Sequence, residues 1–151
     1  MEDRQPPEFW SAVEQFNGGD FYQCHDTLEA LWIEAVNPEK TFYQGILQIA
    51  VGIYHLSNLN WRGAAILLGE GMGRLAKTPW DDRGCYGGIQ VQTLLSEAQA
   101  LLMALQTQGE DQVEPLAVAL GLRESGPETG GDKGAIAVPS LPRIHMAPGE
   151  S

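Results

Sequence analysis

Cysteine is scarce in this 151-residue chain: there are two, Cys24 and Cys85, with no CxxC pair and no metal-type spacing. A disulfide-stapled scaffold is therefore excluded, and the composition suits a reducing cytoplasm. Positive charge is scarce too. Nine Lys and Arg stand against twenty Asp and Glu, a formal net charge of −11. Nucleic-acid binding needs clustered Lys and Arg for phosphate contacts, and none cluster here, so no nucleic-acid partner is expected. The same acidity disfavours an anionic membrane surface. Long apolar runs are missing as well. The longest, Ile46 to Leu56, is broken by Gln48, Tyr54 and His55 and is too short and polar to span a bilayer. The start, MEDRQPPEFW, lacks a basic stretch followed by an apolar run, so no signal peptide is expected.

Aromatic residues vanish after Gly109, while five of the nine prolines and seven of the eighteen glycines fall between there and Ser151. Such a composition cannot bury enough surface to order itself. Residues 1–108 are therefore expected to form the folded domain and 109–151 a largely disordered acidic tail. One stretch, Val113 to Leu122 (VEPLAVALGL), is apolar enough to dock.

What remains is helical. A chain of this length buries roughly two-thirds of its unfolded surface, enough for a core without staples. Five amphipathic segments are predicted: Pro6–Phe16, a second after Asp20 reaching Val36, a third from Asn37-Pro38 to Leu59, Trp61–Lys77, and Ile89–Gln108. Asp20 with Gln23 has the capping-box pattern, and Asn60 is a good cap for the fourth helix. Short connections favour antiparallel neighbours, so an all-α, five-helix up-and-down antiparallel bundle is expected. Glycines inside helices each cost about 1 kcal/mol relative to alanine. Gly45 with Gly52, and Gly69 with Gly73, are spaced to share faces, which implies close helix-on-helix approach. The run GEGMGR follows no strand and lacks the Lys-Ser/Thr ending of a phosphate loop.

Chemistry concentrates on the second helix. Phe21, His25, Glu29 and Trp32 recur at three- and four-residue spacing and make one stripe. The third helix carries Gln44, Gln48 and His55 on one face. With a tight turn at Val36-Asn37, residues whose numbers sum to about 73 lie opposite one another, placing His25 against Gln48 and Glu29 against Gln44.

Three readings follow. A divalent metal ion would take His25 and Glu29 as ligands, with His55 or a glutamine completing part of the shell. An organic ligand would sit in a pocket lined by Trp32, Gln44, Gln48 and Tyr54, with Phe42. A non-catalytic structural or interaction module would instead close His25, Glu29, Gln44 and Gln48 into a self-satisfied core network. Were the site catalytic, His25 would be the general base and Glu29 would orient it. Cys24 lies about 100° around the helix from His25, which argues against a Cys–His nucleophile. Trp10, Trp61 and Trp80 are expected to pack the core or its edges, and Asp81-Asp82 to form a solvated loop pair. Neither a protein partner nor an oligomeric state is specified by these residues.

The segments FNGGDFYQCHDTLEALW, FYQGILQIAVGIYH and NWRGAAILL resemble the bacterial and archaeal proteins grouped as domain of unknown function family 309. The family's His-x-x-x-Glu-x-x-Trp/Tyr motif is met by His25, Glu29 and Trp32, and the resemblance spans about Phe9 to Leu105. It implies an all-α bundle and a role in metal binding. Family members often carry Glu after the histidine, where this chain has Asp26.

Overall fold

The computed structural model describes residues 5–124 and 138–148. The described residues form six helices: α1 (Pro7–Asn17), α2 (Phe21–Glu34), α3 (Glu39–Ser57), α4 (Trp61–Leu75), α5 (Val91–Gln108) and α6 (Val113–Ala119). Between α4 and α5 a hairpin pairs β1 (Cys85–Tyr86) with β2 (Ile89–Gln90). The protein is thus predominantly helical, but the expectation of five helices without strands needs correction. The sixth helix lies within the apolar stretch at 113–122. The hairpin escaped because two-residue strands show no periodicity, and because Ile89 reads as the start of a helix. Its turn residues Gly87 and Gly88 have φ of 63° and 87°, the left-handed pair a two-residue hairpin loop requires.

Local signals decide the ends of several helices. Pro7 occupies the first position of α1, where a missing N–H costs nothing. Asn60 caps α4, its side-chain oxygen accepting the Gly63 N–H at 2.9 Å. The capping box expected at Asp20 is absent: Asp20 precedes α2, but its side chain makes no cap hydrogen bond. Asn37 accepts from the Thr41 N–H and hydroxyl at 3.1 and 2.7 Å, which steadies the entry to α3.

The core centres on α3, where Phe42, Ile46, Ile49, Ile53 and Leu56 are fully enclosed. Full burial of such a side chain contributes about 1.5–3 kcal/mol. Phe9 and Phe16 of α1, Leu28 of α2, Leu68 and Leu75 of α4 and Leu94 of α5 complete the cluster. Trp10, Trp61 and Trp80 pack at its edges, as expected. The Trp61 indole N–H donates to the Leu105 carbonyl at 3.0 Å and ties the start of α4 to the end of α5.

Glycine allows α3 and α4 to approach closely. A Cβ on Gly45 would lie 2.8 Å from Leu75 Cγ, and one on Gly52 would lie 3.1 Å from the Leu68 backbone nitrogen. The partner on α4 is Gly71, whose added Cβ would meet the Gly45 carbonyl at 2.7 Å. Gly69 and Gly73, expected at this contact, instead have open space around their Cα atoms. Their four-residue spacing was correct for a helix face, but that face looks into solvent. No helix among the described residues is long and apolar enough to cross a membrane.

Within 109–151, two segments pack on the bundle. One is α6, through Leu116 and Ala117. The other is an extended strap, residues 138–148, whose Ile144 joins the core cluster. Residues 125–137 and 149–151, for which disorder was expected, lie outside the described residues.

Candidate functional site

α2 sets up the site by dividing its faces. Phe21, Cys24 and Leu28 point into the core. His25, one residue on from Cys24, falls on the border of that face with 24% of its side chain exposed. Asp26 and Glu29 stand further out, about half exposed. The imidazole is flanked on both nitrogens: Asp26 Oδ1 lies 3.3 Å from Nδ1, and Glu29 Oε1 lies 3.7 Å from Nε2. Nδ1 is shielded from solvent and has no aligned hydrogen-bond partner among the described residues, so the Asp26 contact is electrostatic. Donor atoms of His25, Asp26 and Glu29 all lie within 4.8 Å of one another.

Aromatic residues extend the site toward α3. The Tyr22 ring is 5.7 Å from the His25 ring and 5.2 Å from that of Tyr54. Tyr22 and Tyr54 also line a cleft of about 590 Å³ between the α1–α2 turn, the end of α3, and Leu122 and Leu141. Tyr54 therefore faces a cavity, but at this end of the bundle. Trp32 is occupied otherwise: the Lys40 ammonium sits 4.2 Å from its ring centroid and donates to its carbonyl oxygen at 2.8 Å. That cation neutralises the negative end of α2. Phe42 is fully buried against Phe9 and Tyr86, so it is core rather than pocket wall.

The third helix does not meet His25 as spacing predicts. Gln48 Nε2 donates to Glu70 Oε1 of α4 at 3.3 Å, and its own Oε1 is buried without a partner among the described residues. Gln44 is half-buried on α3 and makes no hydrogen bond with His25 or Glu29 among the described residues. His55 sits at the α3–α4 corner, its Nδ1 3.2 Å from Asn60 Nδ2. The network of His25, Glu29, Gln44 and Gln48 is not formed, and His55 is not the third member of the cluster. The reason is rotation: antiparallel numbering pairs heights along two helices, but it does not say which way each side chain turns. Asp26 takes the third place. It had entered only through the family resemblance, as the shorter carboxylate after the histidine, and was not among the expected ligands. The short aspartate nevertheless reaches the near nitrogen of the ring beside it.

The cysteines supply no nucleophile here. Burial pushes the Cys24 thiol up to about 12, and burial with the nearby Asp81 carboxylate raises Cys85. Asp81 shapes its loop by accepting the N–H groups of Cys85 and Arg83 at 3.0 and 2.8 Å, and these bonds hold its carboxyl below the usual range.

The protein is therefore a helical-bundle domain bearing a histidine between two carboxylates at the edge of its core. Residues 9–67 match the family described as Domain of unknown function (DUF309). The match runs from α1 into α4 and contains His25, Asp26, Glu29 and Trp32; the hairpin, α5 and the strap lie beyond it. No curated protein and no solved structure matches the chain.

Proposed function

We propose that the α2 cluster binds a divalent cation, with His25 Nε2 and Glu29 as its protein ligands and the Asp26 carboxylate beside Nδ1 favouring that ring orientation electrostatically. The observation that carries this reading is the convergence of the three donor groups within 4.8 Å on an accessible helix flank. An imidazole and a carboxylate one turn apart suit a borderline transition ion. A metal-bound histidine commonly gives its other nitrogen to a carboxylate, the position Asp26 occupies. Two protein ligands leave most of the coordination shell to water or to a ligand entering from the cleft beside Tyr22. In a catalytic version of the same site, His25 is the general base and Asp26 orients it.

An up-and-down antiparallel bundle is part of this reading. Lys40 reaching back to Trp32, and Tyr54 to Tyr22, support opposite chain directions for α2 and α3. So do the contacts of Gly45 with Leu75 and of Gly52 with Leu68, for α3 and α4. The reducing cysteine complement and the acidic surface support a cytoplasmic protein without a nucleic-acid partner.

The test is titration of untagged protein with Zn²⁺ and with Co²⁺ by calorimetry and visible absorption. One ion per chain is expected. His25→Ala and Glu29→Gln each abolish it, and Asp26→Asn weakens it by about tenfold, the usual cost of losing an orienting partner. Absence of binding, or binding indifferent to His25→Ala, overturns the proposal.

A further inference from the structure

The C-terminal strap is held in the way a bound peptide is held, mainly through its main chain. Met146 forms an isolated antiparallel bridge with Ile89, which lays the strap along the β2 edge of the two-stranded hairpin. The Gln90 N–H donates to the His145 carbonyl and the Ala147 N–H to the Gly88 carbonyl, both at 2.8 Å. One residue upstream, Asn17 at the end of α1 takes over the role of a strand. Its side-chain oxygen accepts the Ile144 N–H at 2.8 Å, and its amide donates to the Ile144 carbonyl at 2.9 Å. Glu97 of α5 accepts the Arg143 N–H at 2.8 Å and lies 3.6 Å from His145 Nε2. The Arg143 guanidinium donates to the Asn17 carbonyl at 3.3 Å.

Apolar strap side chains add to this main-chain grip. Ile144, 3% exposed, and Pro142 are buried, and Val138 and Leu141 pack half-buried against the core, whereas Arg143 and Met146 stand in solvent. A cleft of about 350 Å³ remains between the α1–α2 turn and Ser140 to Arg143, so the strap does not fill its own channel. Edge-strand addition of this kind takes affinity from main-chain hydrogen bonds and specificity from one or two side-chain sites. The main-chain bonds are open to any extended chain, and the selective elements are the Ile144 position and the acidic Glu97.

We propose that the groove formed by Asn17, the Gly88–Gln90 edge and Glu97 is a recognition site for an extended protein segment. The segment it takes carries a branched apolar anchor flanked by Arg and His, and the chain's own Arg143–Ala147 is its intramolecular occupant. A partner segment of this chemistry binds by displacing the strap, and the strap sets the threshold for that exchange.

The experiment uses the full chain and a fluorescein-labelled peptide, PSLPRIHMAP, corresponding to residues 139–148. Ile144→Asp removes the anchor of the resident strap and frees the groove. By fluorescence polarisation the peptide is expected to bind this variant at least about tenfold more tightly than wild type, because the competing occupant is gone. Adding Asn17→Ala to the variant abolishes binding, and a peptide carrying the same Ile144→Asp change does not bind. A variant with wild-type helical circular dichroism that fails to bind, or binds no better than wild type, overturns the proposal. Hydrogen exchange on wild type gives an independent reading should Ile144→Asp fail to fold. Ile144 and Ala147 amides exchanging at least about a hundredfold faster than those of Ile49 and Ile53 show a separately opening strap. Exchange in step with those core amides makes the strap an integral element and overturns the proposal.

Discussion

Gly71→Ala tests how closely α3 and α4 are packed. The added methyl would sit 2.7 Å from the Gly45 carbonyl oxygen, 2.8 Å from Ile49 Cγ1 and 2.9 Å from the Ile49 backbone nitrogen. Two of these three atoms are backbone, so no rotamer change relieves the clash and the helices must separate. Overpacking a well-filled contact costs about 1–3 kcal/mol, and backbone neighbours place this site near the upper end. Replacing a helical glycine by alanine returns about 1 kcal/mol of propensity. The net expectation is a loss of about 2 kcal/mol, or a fall in Tm of about 4–8 °C for a chain of this size. Gly69→Ala and Gly73→Ala provide the comparison. Both positions lie in the same helix with open space around them, so each substitution is expected to stabilise by about 0.5–1 kcal/mol. Urea denaturation followed by circular dichroism measures all three, with the slope checked for constancy. Gly71→Ala as stable as wild type, or Gly69→Ala destabilised to the same degree, would refute the reasoning.

Two predictions concern pH. Burial raises Cys24 from 9.0 to about 12, so its contribution is complete below pH 9 and is lost as pH climbs toward 12, up to about 4 kcal/mol at 1.36 kcal/mol per unit. Tyr43 is raised to about 12 by burial and Glu39 and acts in the same direction. Urea midpoints should therefore fall between pH 9 and 11, and less steeply in Cys24→Ala; an unchanged slope in that variant would exclude Cys24 as a source. Asp81 has the opposite sign, because hydrogen bonds from Cys85 and Arg83 favour its charged form. Its contribution is present above the ordinary aspartate range and disappears as pH falls through its lowered value. Asp81→Ala at neutral pH should speed exchange of the Cys85 amide while leaving core amides of α3 protected, and equal protection of Cys85 in both proteins would count against this role.

The helical class, the caps of α1 and α4 and the core faces were legible in the chain because each is a local or single-helix property. Proline at a first turn, asparagine before Trp61 and apolar residues at helical spacing act within a few residues of themselves. His25 and Glu29 were visible for the same reason, as a pair one turn apart. Everything that depended on a partner element was decided only by tertiary structure. The spacing of Gly45 and Gly52 pointed to a close contact, yet only packing selected Gly71 over Gly69 and Gly73, since all three offer the same lack of Cβ. Gln48 turned to Glu70 and His55 to Asn60 because a helix leaves the rotation of its neighbours unspecified. The strap carried no periodic signal: its hydrogen bonds belong to Asn17, Gly88, Gln90 and Glu97, residues 46 to 127 positions away. Side chains that act on their own helix could be read from the sequence, while those that answer to another element needed the fold to choose between equivalent orientations.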